Sequence, residues 1–150
     1  MQERFETFTV LINRISRDIR KIKNQEMADY HLRSAHVSCL YYVYSLESVT
    51  SAELCEHCEE DKATISRAVD YLETNGFLLR GTSAKRYKSP LLLTEKGRDT
   101  GKRIAEKIDG VLGTISHALT EEERIEFYRS LSTISRSLEA IVQNSEEKEM

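Results

Sequence analysis

Asp61-Lys62-Ala63-Thr64-Ile65-Ser66-Arg67-Ala68-Val69-Asp70-Tyr71-Leu72-Glu73-Thr74-Asn75-Gly76-Phe77 is the stretch whose reading decides the fold. Ile65, Ala68, Val69 and Leu72 recur at helical spacing and mark one face for burial. Asp61 is a good N-cap, and Asn75-Gly76 closes the helix with a glycine suited to the left-handed position. The opposite face carries Lys62, Thr64, Ser66 and Arg67, with Asp70 and Tyr71 one turn later.

On the N-terminal side, Thr50 followed by Glu53 fits a capping box for a short helix running to about His57, so two helices meet across a brief turn. Leu54, Cys55, Cys58, Ile65 and Val69 are expected to pack inward. A further helix, His36 to Leu46, has Val37, Leu40, Tyr41 and Tyr44 on its apolar face, and Ser48-Val49-Thr50 breaks it from the next.

On the C-terminal side the period changes. Phe77 to Arg80 and Pro90 to Leu93 are short apolar runs separated by a polar, basic loop, which fits two strands and a wing. The order helix, helix, short helix, turn, longer helix, two strands is a winged helix-turn-helix, a fold that offers its second paired helix to the major groove of DNA.

The outermost segments are long amphipathic helices. Phe5, Phe8, Ile12, Ile15, Ile19 and Ile22 alternate steps of three and four; Ile104, Ile108, Val111 and Ile115 do the same after Thr94. Thr120 and Glu123 form a second capping box ahead of Phe127, Leu131, Ile134, Leu138 and Ile141. Gly97, Gly101, Gly110 and Gly113 lower the propensity of the helix after Thr94. These stripes exceed what a small three-helix core can cover, so a homodimer built from terminal helices is expected, with an intramolecular bundle as the alternative.

The fold class is therefore mainly α with a small β wing: a winged helix-turn-helix with N- and C-terminal dimerisation helices. The expected organisation is a single domain over 1–150, with the DNA-binding portion at 32–93 and dimerisation helices at 1–30 and 94–145.

Charge agrees with that division better than the net charge of -3 suggests. From Lys62 to Lys88 six basic residues face two acidic ones, a net of +4, while Ala118 to Met150 holds eight acidic and four basic residues, a net of -4. Candidate DNA-binding residues are Lys62, Thr64, Ser66, Arg67 and Tyr71 on the helix and Arg80, Lys85, Arg86 and Lys88 around the wing. Arg67 suits bidentate reading of a guanine edge, and Arg86 suits insertion into a minor groove. Asp70 and Glu73 cannot help phosphate binding and are expected to limit affinity or pair locally.

Composition excludes other classes. The 150 residues, 39% hydrophobic, allow one sizeable core and little room for a catalytic domain. The opening residues lack the apolar region of a signal peptide, and no apolar run approaches a membrane span, so a soluble cytoplasmic protein is expected. Ser, His and Asp are scattered without a nucleophile elbow, so no catalytic residue, cofactor or metal is assigned. Cys55 and Cys58 have C-x-x-C spacing, yet a lone pair supplies only two thiolates; packing is the first expectation for these and Cys39, ahead of redox sensing or metal binding. His31, His36, Cys39 and Glu26 keep a metal-sensing alternative open.

Taken with Leu93-Thr94-Glu95-Lys96-Gly97 after a wing-sized gap, the stretch from Asp61 to Phe77 resembles the MarR family of transcriptional regulators. The resemblance covers nearly the whole chain. It implies a dimer on double-stranded operator DNA, usually a repressor, released by a small-molecule effector or an oxidant, with the ligand pocket between the wing domain and the dimer helices. One departure stands out: where that family commonly has an Asp-x-Arg motif in the wing, Lys85 and Tyr87 occupy the two places. A winged-helix module that contacts protein instead of DNA is the remaining alternative.

Overall fold

The computed structural model describes residues 2–81 and 88–150; Lys85, Arg86 and Tyr87 of the expected wing tip, and the side chain of Phe5, lie outside what it describes. Two compact units divide the chain, Met1–Lys107 and Ile108–Met150. The first holds α1 (Gln2–Glu26), a short 3-10 turn (Ala28–Tyr30), α2 (Ser34–Ser45), α3 (Ser51–Cys58), α4 (Lys62–Thr74), β1 (Leu78–Arg80) and β2 (Leu91–Leu93). It also contains the start of α5 (Glu95–His117), which runs on into the second unit, where α6 (Glu121–Glu149) follows.

Local chemistry places these boundaries. The Thr50 hydroxyl accepts from the Glu53 N–H while the Glu53 carboxylate accepts from the Thr50 N–H, and Thr120 with Glu123 repeats the arrangement at α6. Asp61 accepts from the Thr64 N–H at 2.7 Å and starts α4. Gly76, at φ 78°, takes the left-handed turn that ends it.

The core is assembled by α2, α4 and the hairpin. Val37, Cys39, Leu40 and Val43 from α2 are buried with Leu54 from α3 and Ile65, Ala68, Val69 and Leu72 from α4. Phe77, Leu78, Leu91 and Ile104 join it, as do Met27, Leu32 and Val49. Tyr41 and Tyr44 are only half-buried, because the helix turns Cys39 and Val43 inward. Cys55 and Cys58 are also half-buried, so their expected place in the core is corrected: only Leu54 of α3's apolar positions reaches the interior.

β1 and β2 are antiparallel, pairing Leu78 with Leu93, Leu79 with Leu92 and Arg80 with Leu91. Their alternation buries Leu78 and Leu91 and exposes Leu79 and Leu92. Val49 joins the hairpin by accepting from the Leu91 N–H, which ties the segment before α3 to the wing.

Two of the four glycines of α5, Gly97 and Gly101, are contact sites. A Cβ on Gly97 would sit 1.9 Å from the Phe77 carbonyl oxygen, and one on Gly101 would meet Tyr44 at 2.8 Å. Close backbone approach thus offsets the propensity these residues sacrifice. No helix among the described residues is long and apolar enough to cross a membrane.

Candidate nucleic-acid interface

The packing of α4 decides which of its side chains are presented. With Ile65, Ala68, Val69 and Leu72 inside, Lys62, Ser66 and Arg67 are exposed and Thr64 is half-buried beside them. Hydrogen bonds from Thr64 to Asp61 fix the first turn and hold the Asp61 carboxyl below the usual carboxylate range. The Arg67 guanidinium donates to the Thr64 hydroxyl at 3.4 Å, so the cap also orients the side chain best suited to reading a guanine.

Tyr71 and Arg80 are placed differently from those residues. Tyr71 is half-buried, stacks on His36 with ring centroids 4.2 Å apart, and donates its hydroxyl to the His31 carbonyl at 2.8 Å. It ties α4 to the 3-10 turn and α2. Arg80 lies on the hairpin face that carries Leu78 and Leu91, and its side chain is only 16% exposed. It donates to Glu73 and to Asp70, the latter at 3.4 Å, so the two carboxylates on α4 pair locally with a wing arginine.

His36 underlies the Tyr71 contact. Its Nδ1 accepts from the Arg33 N–H at 3.0 Å, and burial, with the Arg33 charge adding, pushes its pKa below the ordinary value. The ring is therefore held neutral, as the acceptor role requires.

Thr94, expected from the sequence to cap the helix that follows it, and Lys96, to which sequence reasoning gave no role, anchor the far end of α4. Thr94 accepts from the Gly97 N–H and donates to the Gly76 carbonyl at 2.6 Å. Lys96 donates to the Asn75 carbonyl and sits 4.2 Å over the Phe77 ring. The signal was the Leu-Thr-Glu-Lys-Gly stretch itself, whose polar residues satisfy the carbonyls that α4 leaves open. Lys88 is exposed at the end of the wing loop.

An open cleft of about 490 Å³ is lined by Tyr30, Glu95, Lys96, Asp99, Thr100 and Arg103, and Arg103 donates to the Tyr30 hydroxyl. Among the described residues, no group of three or more His, Cys, Asp and Glu side chains is arranged to hold a metal ion.

No family model matches the chain. It is 25% identical over 97 residues, 65% of its length, to an uncharacterised helix-turn-helix transcriptional regulator of Bacillus subtilis, of which the match spans 71%. Among solved structures it is similar to the MepR–DNA complex of S. aureus, with a TM-score of 0.78 at 19% identity, covering 87% of this chain and 97% of that one. A MarR family regulator from Neisseria meningitidis aligns with a TM-score of 0.81 at 17% identity, covering 95% and 98%. The transcriptional regulator SlyA gives 0.78 at 23% identity, covering 87% and 93%. The chain has the winged helix-turn-helix fold of the MarR regulators.

Proposed function

From the MarR fold as premise, we propose that this chain is a non-catalytic, sequence-specific DNA-binding transcriptional regulator that acts as a homodimer. The observation that carries the reading is the division of α4: four apolar residues fill the core while Lys62, Ser66 and Arg67 face outward. Arg80 supports it from behind, because its pairing with Asp70 and Glu73 reduces the negative charge that α4 would otherwise carry toward phosphate.

In this reading Lys62 and Lys88 meet phosphates and set position, while Arg67, held by Thr64, reads a base edge. Tyr71 and Arg80 act as positioning residues for α4. Lys85 and Arg86 remain wing contacts by expectation from sequence. The second copy covers apolar side chains that α1 and α6 each leave exposed, among them Ile15 and Ile19 on α1 and Leu138 and Ile141 on α6. Two α4 helices then address half-sites about one helical turn apart.

Repression relieved by an effector is the mode this fold suggests. The cleft at Tyr30, Lys96 and Arg103 is the effector site we favour, since a ligand there would touch the residue that anchors the end of α4.

The test is selection from a random-sequence duplex pool at about 150 mM salt, where non-specific phosphate binding is already weakened. Enrichment of an inverted repeat is the expected result. A pool that stays random, with reductant present, sinks the sequence-specific reading in favour of a module that binds protein.

A further inference from the structure

The outward ridge of α4 runs through Ala63, Ser66, Arg67 and Asp70, at the three- and four-residue steps that put side chains on one helix face, and all four are exposed. Three of them suit a DNA surface. Asp70 does not, because a carboxylate facing a polyanion costs affinity unless a donor meets it. Its pairing with Arg80 explains only part of its position.

Arg80 is shared unequally between two carboxylates. Its Nε donates to Glu73, whose side chain is 27% exposed, while its Nη2 reaches Asp70 at 3.4 Å and leaves that side chain 51% exposed. Glu73 is turned toward the wing, whereas Asp70 keeps half of its surface on the ridge beside Arg67. The Arg80 side chain is itself 16% exposed and its backbone is fixed by pairing with Leu91, so it restrains the Asp70 carboxylate from behind without covering it.

An ionised carboxylate only accepts hydrogen bonds. In the major groove guanine offers N7 and O6 and thymine offers O4, all acceptors that oppose it. Adenine offers its N6 amine with the N7 acceptor at its side, and cytosine offers its N4 amine with no acceptor of its own. Cytosine is therefore the base that an aspartate satisfies best. Position agrees with this choice. Arg67 and Asp70 are three residues apart, about 4.5 Å along a helix axis, close to the roughly 3.4 Å between successive base pairs. Side chains at that spacing address neighbouring pairs.

We propose that Asp70 is a base-reading residue that selects cytosine in the pair next to the guanine read by Arg67. The inference rests on the proposed DNA-binding function and adds an acidic element to its sequence choice. The carboxylate accepts from the cytosine N4 amine while Arg80 holds it in place, and a base that presents an acceptor there leaves the charge facing lone pairs away from water. Rejection thus contributes as much as attraction. The wrong pair at that position should cost about five- to a hundredfold in affinity.

The experiment selects sequences from a random duplex pool with the full-length protein and, in parallel, with Asp70→Asn, Asp70→Ala, Arg67→Ala and Glu73→Gln. Arg67→Ala marks the guanine column of the wild-type motif, and cytosine is expected in the column beside it in each half-site. Asp70→Asn, whose amide both donates and accepts, should turn that column to adenine. Asp70→Ala should even it out while the remaining columns persist. Glu73→Gln, which loosens the same arginine, should weaken all sequences alike and keep the cytosine. Asp70 is exposed, so both of its variants should retain the circular dichroism of the parent, and either one carries the test. A wild-type motif without cytosine beside the Arg67 column, a motif unmoved by both Asp70 variants, or the same column shifting in Glu73→Gln overturns the assignment and leaves the regulator reading intact. A wild-type pool that stays random overturns that reading itself, and the assignment with it.

Discussion

The helix-turn-helix and the terminal helices use the same pattern of apolar residues at steps of three and four, yet they end in opposite environments. On α4, Ile65, Ala68, Val69 and Leu72 are all at most 2% exposed. On α6, Leu138 and Ile141 are 49% and 61% exposed, and no residue of that helix is buried. The first pattern is satisfied within one chain, while the second presents a face that a single copy leaves open. The same periodicity therefore has two physical meanings, and the difference lies in which partner surface the chain itself supplies.

The comparison breaks most directly at Leu72. Leu72→Ala removes a fully buried side chain from the heart of the core, where such truncations cost about 2 to 5 kcal/mol. Urea denaturation should register a loss in that range, and a loss near zero would mean that α4 is not held by its apolar face.

Leu138→Glu with Ile141→Glu attacks the other side of the comparison. Glutamate is a good helix former, so circular dichroism should stay close to that of the parent protein while the new charges oppose burial of α6 in a dimer. Sedimentation should then report the 17.3 kDa of one chain in place of twice that mass. Unchanged association would sink the assignment of α6 to the dimer interface.

Arg67→Ala and Lys88→Ala sharpen the division within the winged helix-turn-helix, on the proposed DNA-binding function. Removing Arg67 should cost about 1 to 3 kcal/mol at the cognate sequence and flatten discrimination at one base position. Lys88→Ala should weaken all sequences alike and lower the salt slope by about 1. Competition binding at several salt concentrations distinguishes the two, and equal behaviour of both variants would remove Arg67 from base reading.

How far these roles were legible in the sequence depends on the range of the interaction. Caps and periodicity are local, so Asp61, Thr50, Thr120 and the buried face of α4 could be read from neighbours a few residues away. Tyr71 and Arg80 could not. Tyr71 is drawn inward by His31 and His36, some forty residues earlier, and Arg80 by the hairpin register that turns it toward Glu73. Gly97 and Gly101 looked like weak points in a helix because the backbone and side chain that crowd them, Phe77 and Tyr44, belong to other elements.

The smallest expected effect tests whether the long-range tie at Tyr71 contributes to stability. Burial, with the Arg33 charge adding, holds the His36 pKa below the value of 6.5 that the unfolded chain would have, and the neutral ring accepts from the Arg33 N–H at Nδ1. As pH falls through that value, the unfolded chain takes up the proton first. The contribution of His36 is therefore complete above the unfolded value and is lost as pH drops toward the folded one. Urea midpoints compared between about pH 7.5 and about pH 5 should fall further for the parent protein than for His36→Gln, which cannot titrate. His31, His57 and His117 are present in both proteins, so their titration is common to the two curves. Parallel curves would mean that protonated His36 is accommodated beside Tyr71, and the stack would then lose its place among the contacts that hold α4.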